Sequence, residues 1–374
     1  MNTVTAATIA PDEVAIREFP LPDVGPADML IEVQSVGVCG SDKHMYLGHA
    51  NLQFPVLAGH EMVGRIVDMG EEAQTQSNIV GGPLKVGDRA CVTPSTLGCG
   101  RCWYCQHVPH KPALCPNRMV YGFTSADQSP HIHGAFSRLM CIGARSNVFR
   151  VPDDLPDERA VMTEPMAVAT RAVERAMGGG IPHIGEGMSI GKRVAVLGAG
   201  PIGLLTVAAL RHLGAGKIIV TDMSDLRLEL ARRMGADLTI GLKHTHQEQR
   251  LEAVREATDG VGPDITIEAA GVPAAFEEAL AMVRRGGRVV EVGHFFDGGT
   301  IALSPNTICN KEVDVLGVWA YPPMQFETAH SLLSSCVAPL EDLLSTTMPL
   351  AELESAIQLT GDEQIIKVIV DPKL

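Results

Sequence analysis

The sequence predicts an α/β chain of two domains, the first rich in β-structure and the second doubly wound around a six-stranded parallel sheet. Three observations carry this expectation. At 374 residues the chain exceeds the length at which a single core usually stops growing. Up to about residue 160 it shows short strand-like runs broken by Gly and Pro, and after about residue 190 apolar β-branched runs alternate with helical periods. Such alternation is the pattern of parallel strands joined by crossover helices.

In the first part, MLIEVQSVGV at 29–38 and MVGRIVDMG at 62–70 read as strands, and the polar, Gly-rich stretch 70–89 as a surface loop before the next strand. In the second part, strands are expected at 193–197, 217–221, 238–240, 264–268, 288–292 and 313–318. Helices fit at 201–213 before Gly214 and at 224–234 before Gly235, each closed by a glycine of the kind that ends helices. The tail carries a further helix around 323–335 and a strand, IIKVIVDP, and is assigned back to the first domain.

Composition narrows the function. Thirty Lys and Arg against 44 Asp and Glu leave a formal net charge of −14, which repels a phosphate backbone, so nucleic acid is not an expected partner. No apolar run approaches the ~20 residues of a membrane span, and the N-terminal segment lacks the basic and apolar regions of a secretory signal. A cytoplasmic protein with no membrane partner is expected. The cysteine count is nine, and four of these lie within seventeen residues at metal-like intervals, which suits reduced thiols better than disulfides.

Two sets of residues have the chemistry of metal ligands. VGVCGSDKH at 36–44, AGHE at 58–61 and TEPMAVA at 163–169 offer Cys39, His60 and Glu164, three protein ligands of mixed type that leave the fourth tetrahedral position of a zinc ion open for chemistry. Cys99, Cys102, Cys105 and Cys115 form C-x2-C-x2-C-x9-C, which can close around a second zinc with four thiolates and leave nothing open. Cys91, Cys141, Cys309 and Cys336 lie singly in apolar sequence, as small core residues do.

The strand VAVLG leads into GAGPIG at 198–203 and then an amphipathic helix. Gly198, Gly200 and Gly203 permit the tight turn, the close approach of a pyrophosphate and the packing of helix on strand, while the helix N-terminus attracts the anion. The second strand ends in Asp222, where a carboxylate accepts hydrogen bonds from ribose hydroxyls and repels a 2′-phosphate. NAD is therefore expected over NADP.

These motifs, with KVGDR, EVGHF and LGVW in the same order, resemble the zinc-dependent medium-chain dehydrogenase/reductase family of alcohol, polyol and threonine dehydrogenases. The resemblance implies a GroES-like catalytic domain over 1–163, to which 319–374 returns, and a Rossmann NAD-binding domain over 164–318. It implies a catalytic zinc on Cys39, His60 and Glu164, a structural zinc on the four-cysteine lobe, and thus two zinc ions per subunit. Relatives usually place seven residues between the third and fourth lobe cysteines, against nine here. Glu61 is itself a ligand in some relatives. Because adjacent residues of a regular strand point to opposite faces, exchange between Glu61 and Glu164, or an outer role for one of them, is expected.

By the same resemblance, Ser41 and His44 carry a proton from substrate to solvent, and Asp42 supports the zinc or caps its helix. Pro201, Ile202 and Arg227 line the coenzyme, and Val292 and Val318 meet the nicotinamide carboxamide through their backbone. Tyr46, Phe54, Tyr121, Phe123, His294 and Trp319 are candidate pocket residues. The expected reaction is zinc-assisted oxidation of a secondary alcohol by NAD, with a polyol, cyclitol, diol or related polar alcohol as substrate and a homodimer or homotetramer as the assembly. A threonine-type or simple alcohol dehydrogenase is the alternative enzyme, and an NAD- and zinc-binding structural or sensing protein the non-enzymatic one.

Overall fold

In the computed structural model, which describes residues 3–95, 98–129, 131–177 and 187–374, the chain begins with a hairpin. Strands β1 (Thr3–Ala10) and β2 (Glu13–Pro20) pair antiparallel along their whole length. Strand β3 (Met29–Gly37) runs into helix α1 (Gly40–Tyr46), whose N-cap is Cys39. Strands β4 (Val56–Leu57) and β5 (Glu61–Met69) follow, the latter antiparallel to β3. Next come helix α2 (Ala73–Gln76), strands β6 (Asn78–Val80) and β7 (Arg89–Val92), and helix α3 (Trp103–His107) within the cysteine lobe. Strands β8 (Thr124–Ser125), β9 (Leu139–Ile142) and β10 (Asn147–Arg150), the short helix α4 (Asp157–Ala160) and helix α5 (Thr163–Met177) complete this stretch.

The stretch 70–89, expected as a loop, contains α2 and β6, and β6 pairs parallel with β10. Elements of four and three residues are too short to show a period in sequence. Their positions come from the partner strand.

The six expected parallel strands are present. Strands β11 (Arg193–Leu197), β12 (Lys217–Asp222), β13 (Leu238–Gly241), β14 (Ile265–Glu268), β15 (Arg288–Glu291) and β16 (Asp314–Gly317) form a sheet in the order β13-β12-β11-β14-β15-β16. Helices α6 (Pro201–Leu213), α7 (Asp225–Met234), α8 (Gln247–Glu256), α9 (Pro273–Met282) and α10 (Pro305–Lys311) lie between them in sequence. Val194, Ala195 and Val196 of β11 are fully buried, as expected of a central strand covered on both faces. Each such valine contributes roughly 1.5–3 kcal/mol. Helices α6 and α7 end in left-handed caps at Gly214 (φ 90°) and Gly235 (φ 116°), as their sequences predict. The strand order reverses between β11 and β14, the point at which open α/β sheets hold ligands.

The tail supplies helix α11 (Gln325–Ser335), strand β17 (Leu344–Pro349), helix α12 (Leu353–Leu359) and strand β18 (Lys367–Asp371). Strand β18 pairs with β3, so the tail strands join the eight-stranded sheet that also holds β5, β7, β10, β6 and β9. Two compact units result: Met1–Ala167 with Tyr321–Ser335 and Leu343–Leu374, and Val168–Ala320 with Cys336–Asp342. Among the described residues no helix is long and apolar enough to cross a membrane.

Candidate active site

The first unit gathers its chemistry where β3, α1 and β5 meet. Cys39 sits at the N-cap of α1, and Asp42 turns back so that its Oδ2 accepts from the Cys39 backbone N–H at 2.8 Å. His60 comes just before β5 and Glu61 opens it. The backbone just before them is irregular: Gly59 has φ 89°, and a Cβ there would lie 2.6 Å from the Phe136 nitrogen, so only glycine fits. This irregularity lets two consecutive side chains serve one site. Cys39 Sγ, a His60 ring nitrogen and a Glu61 oxygen all lie within 4.8 Å of one another.

Glu164 falls outside that trio. It lies in the first turn of α5, 9% exposed, and its Oε1 accepts from the Tyr321 hydroxyl at 2.7 Å. Ser41 Oγ lies 3.4 Å from His60 Nε2, and Asp42 Oδ1 lies 3.8 Å from His60 Nδ1. The Phe123 ring tilts against His60 with centroids 5.1 Å apart. Two residues that the sequence reading did not single out complete the cluster: Tyr321, and the buried Lys367, which donates to the Val38 carbonyl at 3.0 Å and pairs with the Glu61 carboxylate. A lysine within the apolar run of β18 is a readable signal. Tyr321 leaves none.

The electrostatics identify what this cluster accommodates. Burial alone would discharge His60, yet its bond to Cys39 and the charges of Asp42, Cys39 and Glu164 push its pKa up to about 10. Burial raises Glu164 to about 7, with Glu61 adding repulsion while His60, Tyr321 and Lys367 oppose it. Burial also raises Asp42. Burial works against the charge on Lys367, but Glu61 and Cys39 hold its pKa above the ordinary value. Several anionic groups thus share one lysine and draw a proton onto an imidazole, while His60 Nδ1 and Asp42 Oδ1 have no hydrogen-bond partner. A divalent cation fits this donor set and supplies the missing charge.

The lobe fits a second ion. Cys102 Sγ lies 3.4 Å from Cys105 Sγ and 3.7 Å from Cys115 Sγ, and Cys99 Sγ lies 4.0 Å from Cys105 Sγ. A tetrahedron of thiolates about zinc has edges of about 3.8 Å, given Zn–S bonds of about 2.3 Å. The nine-residue spacing is taken up partly by a 3₁₀ turn at Pro112–Leu114. None of the nine cysteines is in a disulfide; Cys91, Cys141 and Cys336 are buried as expected, whereas Cys309 is exposed on α10.

In the second unit, Gly198 (φ 97°) follows β11, and a Cβ on it would lie 2.7 Å from the Ala270 nitrogen. A Cβ on Gly203 would collide with the Gly198 carbonyl. At Gly200, by contrast, nothing lies within 4 Å of where a Cβ would project, which leaves room for a ligand beside the backbone. Gly200 caps α6 without a side-chain hydrogen bond, and Pro201 and Ile202 form the first turn behind it, as a pyrophosphate site requires. Asp222 Oδ2 accepts from the Ala199 N–H at 2.7 Å and Oδ1 from the Ser224 N–H at 2.8 Å, which fixes the carboxylate beside the turn. The Arg227 N–H donates to the Ser224 N-cap. Val292 and Val318 spend their N–H groups on the carbonyls of Glu268 and Glu291, so a backbone role toward a carboxamide falls to their own carbonyls.

Of the other pocket candidates, Tyr121 is a core residue, its hydroxyl 2.7 Å from Ser146 Oγ. Tyr46 donates to Glu354 at 2.8 Å. Trp319 stacks on Phe295 with centroids 4.5 Å apart. His294 Nδ1 lies 2.8 Å from Glu291 Oε1, and the ring lines a cavity of about 340 Å³ with Phe276, Phe295 and Phe296.

An alcohol dehydrogenase GroES-like domain profile matches residues 25–153, and a zinc-binding dehydrogenase profile matches residues 201–335. Sorbitol dehydrogenase from Bacillus subtilis is 33% identical over 96% of this chain and 94% of its own length. The chain belongs to the zinc-dependent medium-chain dehydrogenase family. Erythritol/L-threitol dehydrogenase from Mycolicibacterium smegmatis is 30% identical over 97% and 95% of the two chains. The crystal structure of an alcohol dehydrogenase from Thermotoga maritima superimposes with a TM-score of 0.89 at 30% identity, covering 99% of this chain and all of that one. As a member of this family the protein is a zinc-dependent oxidoreductase of the alcohol dehydrogenase type, with a GroES-like domain and a Rossmann coenzyme fold.

Proposed function

We propose that the protein oxidises a polar secondary alcohol, a polyol, cyclitol or diol, with NAD as hydride acceptor. The observation that carries this is the largely buried cluster of Cys39, Asp42, Glu61 and Glu164, with one imidazole, His60, and one lysine, Lys367, to balance it. Zinc bound there by Cys39, His60 and one of the two glutamates supplies a Lewis acid that lowers the pKa of a substrate hydroxyl.

The protein's own groups do the rest. Asp42 stands 3.8 Å from His60 Nδ1 as a counter-charge, while His60 Nε2 lies 3.4 Å from Ser41 Oγ. Lys367 holds Glu61 and Tyr321 holds Glu164, so the two glutamates are restrained by different partners. Ser41, adjacent to His60, accepts the substrate proton, and His44, one turn further along α1, passes it to solvent. In the coenzyme unit, Gly198, Gly200 and Gly203 with the first turn of α6 receive the pyrophosphate. Asp222 favours NAD over NADP, Arg227 lies beside the coenzyme, and the carbonyls of Val292 and Val318 orient the nicotinamide. The polyol preference is supported by the sorbitol and erythritol/threitol dehydrogenases among the relatives.

A homodimer or homotetramer is proposed because β16 is an edge strand whose residues Asp314, Val315 and Gly317 are exposed. A cytoplasmic location is supported by nine cysteines free of disulfides. The test is a spectrophotometric screen of NAD and NADP reduction across polyols, cyclitols, diols and amino alcohols, using zinc-loaded and chelator-treated protein. Zinc-dependent NAD reduction with a polyol or diol is expected. Preference for an amino alcohol would select the threonine-type alternative, and inactivity of zinc-loaded protein toward the whole panel would overturn the proposal.

A further inference from the structure

Helix α1 ends in a tight return that brings a second imidazole onto His44. Leu47 closes the helix, Gly48 takes φ 72°, and the His49 N–H donates to the His44 carbonyl at 2.9 Å. The two rings then face each other with centroids 5.2 Å apart and Nδ1 to Nδ1 at 2.9 Å. Two imidazole nitrogens can approach so closely only if one carries a proton and the other a lone pair.

The surroundings indicate which ring donates. His49 is exposed, so water can accept from its Nε2–H and leave its Nδ1 as the acceptor. His44 is half-buried, and Lys43, beside it on α1, is a charged neighbour that acts on it together with His49. Lys43 is drawn off to the carbonyls of Gln358 and Thr360 at the end of α12. Charges near this end of α1 include Glu354 of α12, which accepts from Tyr46, and Asp12 after β1, whose N–H donates to the Tyr46 carbonyl. Neither is the partner of the His44 ring in this contact.

We infer that His49 is a positioning residue for the proton relay: its Nδ1 accepts from His44 Nδ1–H and so fixes the tautomer of His44 that keeps a lone pair on Nε2. The inference rests on the relay role of His44 proposed above. In that tautomer a proton arriving from the substrate side binds Nε2, and the resulting imidazolium is stabilised by its Nδ1–H bond to His49 until a proton leaves to water. Without His49, a neutral His44 can place its proton on Nε2, and in that form it accepts nothing there.

Long-range ¹H–¹⁵N spectra of ¹⁵N-histidine-labelled, zinc-loaded protein test the inference, with the His44 signals assigned by their loss in His44→Asn. An Nδ1–H tautomer at His44 is expected in the unaltered protein and an Nε2–H tautomer in His49→Ala. His49→Asn, whose Oδ1 can take the place of the imidazole acceptor, should restore the first pattern. NAD reduction with the best alcohol of the panel should fall about tenfold in His49→Ala, the lower end of what loss of an orienting partner costs, and should recover in His49→Asn. The double variant His44→Asn/His49→Ala should be no slower than His44→Asn alone. If His49→Ala leaves both tautomer and rate unchanged while His44→Asn is slow, the inference is overturned and the relay stands. If His44→Asn keeps full activity and an unaltered pH profile, the relay itself fails.

Discussion

The Tyr321 hydroxyl donates a 2.7 Å hydrogen bond to Glu164 Oε1. Both residues are buried, and burial together with the Glu164 charge raises the tyrosine well above its usual pKa, so it stays a donor. Removing it leaves a buried carboxylate short of one partner, which costs roughly 1–3 kcal/mol or more, and frees Glu164 to move. Tyr321→Phe is expected to change zinc affinity or turnover by about 10–100-fold, measured by metal content after dialysis against a graded chelator and by steady-state rates. Unchanged values of both would make the bond incidental.

Lys367 is the cation against which Glu61 is balanced. Lys367→Met strands a buried carboxylate, at a cost of about 3–5 kcal/mol, and the melting temperature of chelator-treated protein should fall by roughly 5–15 °C. Zinc-loaded protein should lose less, because the ion supplies charge to the same donors. Adding Glu61→Gln to Lys367→Met should recover much of the loss. A melting temperature indifferent to zinc in the single variant would contradict this account.

Asp222 is held by two backbone N–H groups, so Asp222→Asn keeps an acceptor at the turn while removing the charge. The ratio of kcat/KM for NADP to that for NAD should rise about tenfold or more, the worth of a hydrogen bond to a charged group. A ratio that does not move would mean that coenzyme choice lies elsewhere.

Glu268 makes a pH-dependent contribution to stability. Its Oε1 accepts from the N–H groups of Ala270 and Gly271, while burial and then the neighbouring Glu291 push its pKa to about 8. Unfolded, it titrates near its ordinary value of 4.5, so between those values the folded state binds more protons and stability falls as pH rises, levelling above 8. Glu268→Gln removes this penalty. Its stabilising effect should be smallest at pH 5 and reach the order of 1–3 kcal/mol at pH 8, read by urea unfolding at pH 5, 6.5 and 8. A difference that is constant across pH would show that the carboxyl does not titrate in this window.

The two-part organisation was legible because its signals are local. The β11–α6–β12 unit is written in consecutive residues, as an apolar run, a glycine turn, a 3.6-residue period and an acid. Cys39, His60 and Glu164 could be paired with zinc from chemistry alone and Glu61 only through the family resemblance, yet whether His60 and Glu61 can face one site depends on the Gly59 backbone, which no period reveals. Lys367 and Tyr321 reach the cluster only through the pairing of β18 with β3 and the fold of the tail. They belong to contacts spanning 157 and 329 residues of chain, for which a single sequence carries no register.

That distance shapes how the protein is made. Lys367 meets Val38 across 329 positions of chain, so on the ribosome Cys39, His60 and Glu61 emerge long before their counter-charge. Until β18 is translated and docks, the nascent chain carries Glu61 without the lysine that balances it in the folded protein.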